Sequence, residues 1–323
     1  MPMPGAYSRV SQPMTNSASV PITPDDTRPH VRRSRLTRRG CLARWLLILY
    51  AFLILPLFAC GIVTVIYLVL PPAPTDILLL GLDARDGEDV LARTDSILML
   101  GIDPSRLRVS VLSIPRDLFI DVPGYGLQRV NSINLLGETA QQGSGPALLA
   151  SSLSQDFGVQ IDRYLRLDFA AFVTLIDVVG GVTIDVERVI IDDAYPTSDG
   201  GTQRIRFESG VQHMDGARAL IYARTRHADD DYHRAERQQQ ILSALAIELR
   251  NPVNWPAVLG VLSHGVDTDL TLWDMLMLAP PVALNAGRFD RLVIDREYII
   301  GTADGKSLPN YDRILPWLRE RFD

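Results

Sequence analysis

Apolar and polar positions alternate with three distinct periods along the chain. Residues 45–70 run for 26 positions without a charge, about 39 Å of helix at about 1.5 Å per residue, ample for a bilayer core of about 30 Å. Residues 76–82 (DILLLGL) and 95–102 (DSILMLGI) are short continuous apolar runs that predict buried strands. Residues 107–114 (LRVSVLSI) alternate as a third strand after a turn at Asp103, Pro104 and Ser105. Helical spacing follows at 145–157, 169–179, 215–222 (with Asp215 as its N-cap), 234–250 and 272–284, and strands are expected at 160–167, 182–186 and 289–294. The pattern predicts an α/β fold: a mixed central β-sheet flanked by helices, preceded by one N-terminal transmembrane helix.

Charge gives the long apolar run a direction. Residues 1–44 hold eight arginines against Asp25 and Asp26, a balance of +6 in a chain whose net charge is -6. Basic residues beside a span stay in the cytoplasm, so the N-terminus is expected inside and the remainder outside, as a single-pass protein of the cell membrane. The run is too long for a cleaved signal peptide and continues into Pro71, Pro72 and Pro74, so a signal anchor is expected. The predicted organisation is a basic, disordered cytoplasmic tail (1–44), a membrane anchor (45–70), a Pro-rich spacer (71–75) and one extracytoplasmic domain (76–323). Cys41 and Cys60 both precede that domain, which therefore folds without disulfides. The basic tail is read as a topology signal attracted to anionic lipid, and no nucleic acid is expected as a partner.

Short connections between the first three strands favour an antiparallel meander, which brings Asp83, Arg85, Arg93, Asp95, Arg116 and Asp117 to one edge of the sheet. Asp83 and Asp95 are two carboxylates within reach of one hard cation, Mg²⁺ or equally Mn²⁺, which leaves other positions to water and phosphate. Arginine offers a planar fork matched to phosphate oxygens, so several beside a cation suggest a diphosphate. Arg224 and Arg226 are two apart, and an extended backbone there would point both the same way. Arg234 and Gln238 head an otherwise apolar stripe continued by Leu242, with Arg237 beside it. Turn-stabilising aspartates, a solvated ion-pair network and bonds to backbone carbonyls are the plain structural alternatives for these groups.

The segments GLDAR (81–85), RTDSILML (93–100), VLSIPRD (111–117), RVNSIN (129–134), MDGARALIYARTR (214–226) and DYHRAERQQQIL (231–242) resemble, in this order, the signature segments of LytR-CpsA-Psr proteins over about residues 75–250. The resemblance implies a phosphotransferase that moves a teichoic-acid-like, capsular or other wall glycopolymer from a polyprenyl-pyrophosphate carrier onto peptidoglycan through a phosphodiester. It implies Asp83 and Asp95 as Mg²⁺ carboxylates and catalytic residues with Arg116. The implied pyrophosphate-binding set is Arg85, Arg93, Arg116, Arg129, Arg218, Arg224, Arg226, Arg234, Arg237, Gln238 and Gln239. Asp231 is a candidate for orienting or deprotonating the acceptor hydroxyl. Arg129 stands where the family often carries lysine, which keeps the charge and changes the donor geometry.

Two other readings use the same residues. A metal-dependent hydrolase would cleave the lipid-linked pyrophosphate with water, and a non-catalytic membrane-bound regulator would act through its tail. GTADGKS (301–307) has three residues between its glycines where a phosphate-binding loop needs four, and Pro309 stops the following helix. His227 and His233 flank three aspartates without a cysteine and are read as a polar loop. Leu148, Leu149, Leu153, Phe157, Phe169, Phe172, Val173 and Ile176 could line a polyprenyl slot, although helical apolar spacing is ordinarily core. Residues 195–203 are the expected sugar-reading loop.

Overall fold

The computed structural model describes residues 38–82, 94–197, 200–226 and 231–322. The chain divides into two compact units, one ending at Gly61 and the other beginning at Ile62. Helix α1 (Arg38–Leu49), a π-helical turn (Tyr50–Ile54) and α2 (Leu55–Val69) follow without a break. Pro56 has no N–H for the Phe52 carbonyl, and the ladder widens just ahead of it. Ala43–Val69 is the one helix among the described residues long and apolar enough to cross a membrane, with a mean hydropathy of 2.7. The expected basic tail lies largely outside the described residues.

Strands β1 (Thr75–Leu82), β2 (Thr94–Asp103) and β3 (Arg108–Ser113) form the expected antiparallel meander. The hairpin β4 (Phe119–Val122) and β5 (Gly126–Arg129) leads into α3 (Val130–Ala140), α4 (Gly145–Phe157) and β6 (Arg163–Leu167). Helix α5 (Phe169–Val178) precedes β7 (Val182–Val186), β8 (Ile190–Pro196), β9 (Thr202–Phe207), β10 (Gly210–Met214) and α6 (Gly216–Arg224). The chain closes with α7 (Asp231–Glu248), α8 (Trp255–His264), β11 (Asp267–Thr268), α9 (Leu272–Leu284), β12 (Asp290–Val293), β13 (Ile299–Gly301), β14 (Ser307–Pro309) and α10 (Tyr311–Arg321).

The central sheet has the order β11-β6-β1-β2-β3-β12 and is mixed: β6 lies parallel to β1 and β12 parallel to β3. Successive residues of the inner strands point to opposite faces, which explains why the runs are continuously apolar. Leu78, Leu80, Ile97, Met99 and Leu112 pack under α3, α4 and α10, while Ile77, Leu98, Leu100, Val109 and Val111 pack under α7 and α9. The α3–α4 crossing is tight enough that a Cβ on Gly145 would stand 2.5 Å from the Asn134 carbonyl oxygen. Leu149, Leu153 and Phe157 are fully buried in the first core and Ile176 in another, so these residues are core.

Four expectations shift. The strand at 182–186 pairs with β10 outside the central sheet. The helix expected at 234–250 starts a turn earlier, at Asp231, and the one expected at 215–222 runs on to Arg224. Residues 195–203 belong mostly to the β8–β9 hairpin, with 198–199 outside the described residues.

Candidate active site

Asp95 reaches the site through an irregularity in the sheet. In the β1–β2 ladder Gly81 pairs with Ser96 and Leu82 with Thr94, which leaves Asp95 as the extra residue of a bulge. A bulge frees its residue from the pleat and re-aims the side chain. The carboxylate of Asp95 accepts from Arg116 Nη1 at 3.1 Å and stays about one-third exposed, at 32%. Arg116 follows β3 on a loop held by its own carbonyl, which accepts from the Asn131 N–H at 3.2 Å.

Helix α7 supplies the opposite wall. Arg234 Nη1 lies 3.0 Å from Asp231, and its Nη2 donates to the Asp95 carbonyl at 3.2 Å. Asp231 also faces Arg116 Nη2 at 3.6 Å, so its two oxygens are shared between two guanidinia. That geometry makes Asp231 a holder of the arginine clamp. Gln238 donates to the Ser96 hydroxyl at 2.7 Å, tying α7 to β2. These residues line a shallow cleft with Ser113, Asp117, Tyr232 and Val293.

The electrostatics are uneven. For Arg116, burial opposes the charge, but Asp95, Asp231 and Asp117 outweigh it and hold the guanidinium above the usual arginine range. For Arg234, burial is the largest influence, and Arg116 and Arg226 add like charge. Despite Asp231 and Asp95 the guanidinium is pulled below the usual range. An anion entering the cleft relieves that repulsion.

Not every expected residue converges. Asp83, Arg85, Arg93 and His227 lie outside the described residues. Arg224 ends α6 and Arg226 lies beyond it, so no extended strand carries the pair. Arg224 lies 4.2 Å from the Phe169 ring centroid and donates to the Tyr195 hydroxyl at 3.3 Å. Arg226 is exposed beside the cleft, its backbone N–H donating to the buried Asp192 at 3.3 Å. Arg129 sits on the rim, paired with Asp117 at 3.3 Å. Arg218 is turned away: it donates to the Arg206 carbonyl and lies 3.9 Å from the Phe207 ring centroid. Arg237 is buried and donates to the Thr225 carbonyl. Gln239 is also buried, donating to Ser113 Oγ at 2.8 Å and the Leu292 carbonyl at 3.1 Å. Arg237 and Gln239 brace the site's framework, and Arg218 braces a neighbouring core.

Ser96 and Asp192 are the supporting residues that sequence reasoning missed, and Tyr195, expected at the head of a sugar-reading loop, accepts from Arg224. Asp192 was detectable, because an acidic residue within the apolar run of β8 needs a partner. Asp95 supplies a hard oxygen donor of the kind Mg²⁺ accepts, and among the described residues no group of three His, Cys, Asp or Glu side chains forms a closed metal cage. Asp95 is the one member of the expected carboxylate pair among the described residues. A larger groove of about 490 Å³ between α5 and α8, lined by Asp168, Thr174, Val261 and His264, contains none of these arginines.

Comparison with known proteins gives this geometry a context. The model of the LytR_cpsA_psr family matches residues 70–299. A polyisoprenyl-teichoic acid–peptidoglycan teichoic acid transferase TagU from Oceanobacillus iheyensis is 34% identical over 202 residues, covering 61% of this chain and 59% of that protein. Regulatory protein MsrR from Staphylococcus aureus is 32% identical over 200 residues, covering 60% of this chain and 56% of that protein. The chain thus spans less than two thirds of the length of these relatives. The solved structure of TagT bound to LI-WTA superposes with a TM-score of 0.59 at 20% identity, covering 77% of this chain and 91% of that one, which speaks for the fold.

Proposed function

The chain belongs to the LytR-CpsA-Psr family, and on that footing we propose that it is a membrane-anchored phosphotransferase. Its reaction moves a teichoic-acid-like or other wall glycopolymer from a polyprenyl-pyrophosphate carrier onto peptidoglycan. The observation that carries this reading is the cluster of guanidinium groups at Asp95 among the described residues: Arg116 bonds to Asp95, Arg116 and Arg234 share Asp231, and Arg226 lies within electrostatic reach of Arg234. A diphosphate has the charge and the planar oxygen edges to complete that set.

The acceptor hydroxyl attacks the phosphorus that bears the sugar, forming one P–O bond as the P–O bond to polyprenyl phosphate breaks. The proton of the hydroxyl leaves to solvent, and polyprenyl phosphate is the leaving group. Arg116 and Arg234 hold the diphosphate oxygens and offset the charge that moves to the leaving phosphate. Asp231 keeps both guanidinia aligned, and Gln238 fixes α7 against β2. Asp95, with Asp83, would hold a Mg²⁺ or Mn²⁺ ion, which when bound neutralises diphosphate charge in a compartment without ATP. Residues 1–44 are read as the cytoplasmic tail, 45–70 as the anchor and 76–323 as the extracytoplasmic catalytic domain.

The test is to incubate the full chain in detergent with a labelled polyprenyl-pyrophosphate oligosaccharide, peptidoglycan fragments and Mg²⁺, with and without chelator. Metal-dependent label on peptidoglycan is the expected result. Sugar phosphate released to water would replace the transferase by a hydrolase. No turnover, with function lost on removing residues 1–40 and kept in an Asp83→Ala, Asp95→Ala variant, would favour the regulatory role that the name of the Staphylococcus relative suggests.

A further inference from the structure

Helix α9 is apolar all round. Its single charge, Asp274, is turned to the capping Thr271 and to Arg163 at 3.4 Å. One face is accounted for, since Met275 is buried and Leu278 packs in the core beneath the central sheet. The other carries Trp273, Met277, Pro280 and Leu284, which at about 100° per residue fall within one narrow stripe. Trp273 is 67% and Leu284 64% exposed. Single exposed apolar residues are ordinary, but exposed Trp273 and Leu284 at the two ends of one stripe, with Met277 and Pro280 half-buried between them, mark a surface with a partner.

The chain itself shows what that partner is. Tyr67 is the one half-buried residue of an otherwise exposed α2, and its hydroxyl donates to the Met277 carbonyl at 2.9 Å. In a regular helix that carbonyl accepts from the N–H four residues on, which here is Pro281 and has none. The Pro280–Pro281 pair thus opens a carbonyl on the exposed stripe, and the apolar helix closes it. Tyr67 lies two residues before the end of α2 at Val69, about 3 Å along the axis, whereas the interfacial zone of a bilayer is about 5–7 Å thick on each side. Whatever bonds to Tyr67 is at membrane level, and an exposed tryptophan is the residue type that membrane interfaces favour.

We propose that the outer face of α9 rests in the bilayer interface, with Trp273 and Leu284 among lipid headgroups and upper acyl chains. The inference rests on Ala43–Val69 crossing the membrane. It makes α9 a second, reversible membrane contact, in the manner of a helix lying in the interface plane.

The test uses the full chain in phosphatidylcholine–phosphatidylglycerol vesicles containing lipids brominated either near the headgroup or near the chain end. The emission of Trp273 is isolated as the difference between the native chain and Trp273→Phe. The same subtraction for Trp45 reports the anchor independently. The expected result is a Trp273 component blue-shifted from its value in water and quenched more by shallow than by deep bromine, and weakened by Tyr67→Phe. A Trp273 component that is water-like and unquenched while Trp45 is quenched overturns the proposal with the anchor intact. Loss of quenching at both positions overturns both. Shielding that follows protein-to-lipid ratio instead of bromine position would mean that a second copy covers the stripe, and would also overturn it.

Discussion

Arg166 and Arg234 are both almost sealed from water, with side chains 3% and 10% exposed, yet they stand in opposite electrostatic conditions. Arg166, on β6, meets Glu138 at 2.6 Å, the Asn134 side-chain oxygen at 3.2 Å and Asp267 at 2.8 Å. Two carboxylates answer one guanidinium, and the Glu138 side chain is itself fully buried. Arg234 shares Asp231 with Arg116 and has Arg226 within electrostatic reach. Enclosure alone therefore does not separate a structural arginine from a binding one. The difference lies in whether the protein closes the charge or leaves it in surplus for something that arrives later.

The largest effect should come from opening the closed network. Glu138→Ala leaves Arg166 buried with its nearest partner gone and is expected to cost about 3–5 kcal/mol in chemical denaturation. A loss near that size on Arg234→Ala would erase the contrast. Next in size, Arg234→Ala should lower transfer by about 10²–10³-fold, as removal of one charge-stabilising donor typically does, with the melting temperature nearly unchanged. Arg224→Lys keeps the charge and gives up the stacking on Phe169 and the fork. Stability should fall by about 1–2 kcal/mol in chemical denaturation, with transfer changed far less than by Arg234→Ala.

The smallest effect concerns pH. Burial opposes the Glu138 charge, but the N–H groups of Gly143 and Gly145 together with Arg166 overcome it and hold the carboxyl below its ordinary range. Its stabilising contribution is therefore complete above the unfolded-state carboxylate pKa and lost as pH falls through the lower folded value. Glu138→Gln should flatten that part of the acid limb in denaturation midpoints measured against pH. An unchanged limb would place the acid sensitivity elsewhere.

The comparison also shows which features the sequence could convey. The meander was legible because β1 and β2 are buried on both faces and therefore read as unbroken apolar runs. The membrane helix was legible from the lack of charge. Asp95 could be singled out as a carboxylate at a strand edge, but not the bulge that aims it, since a one-residue excess depends on the partner strand. Arg237 and Gln239 show a second limit. They belong to the same polar helix segment as Arg234 and Gln238, and which polar groups line a cleft and which satisfy buried carbonyls is decided by neighbours on other elements, such as Thr225 and Leu292. The two-stranded ladder β7–β10 and the hairpin β8–β9 carry short, mixed patterns that spacing alone could not order.

The parallel pairing of β3 with β12 bears on how the molecule is made. Residues 110–113 bond to a strand at residues 290–293, so one side of β3 stays unpaired until the partner strand, far later in the chain, has been synthesised. Contacts of such long sequence separation form slowly, and an open strand edge invites pairing with other chains in the meantime. Truncation after α9 removes β12 and, with α10, the buried Ile314, Leu318 and Phe322, so it should yield a protein that fails to complete its fold and aggregates during biogenesis, even though the clustered arginines all precede the cut.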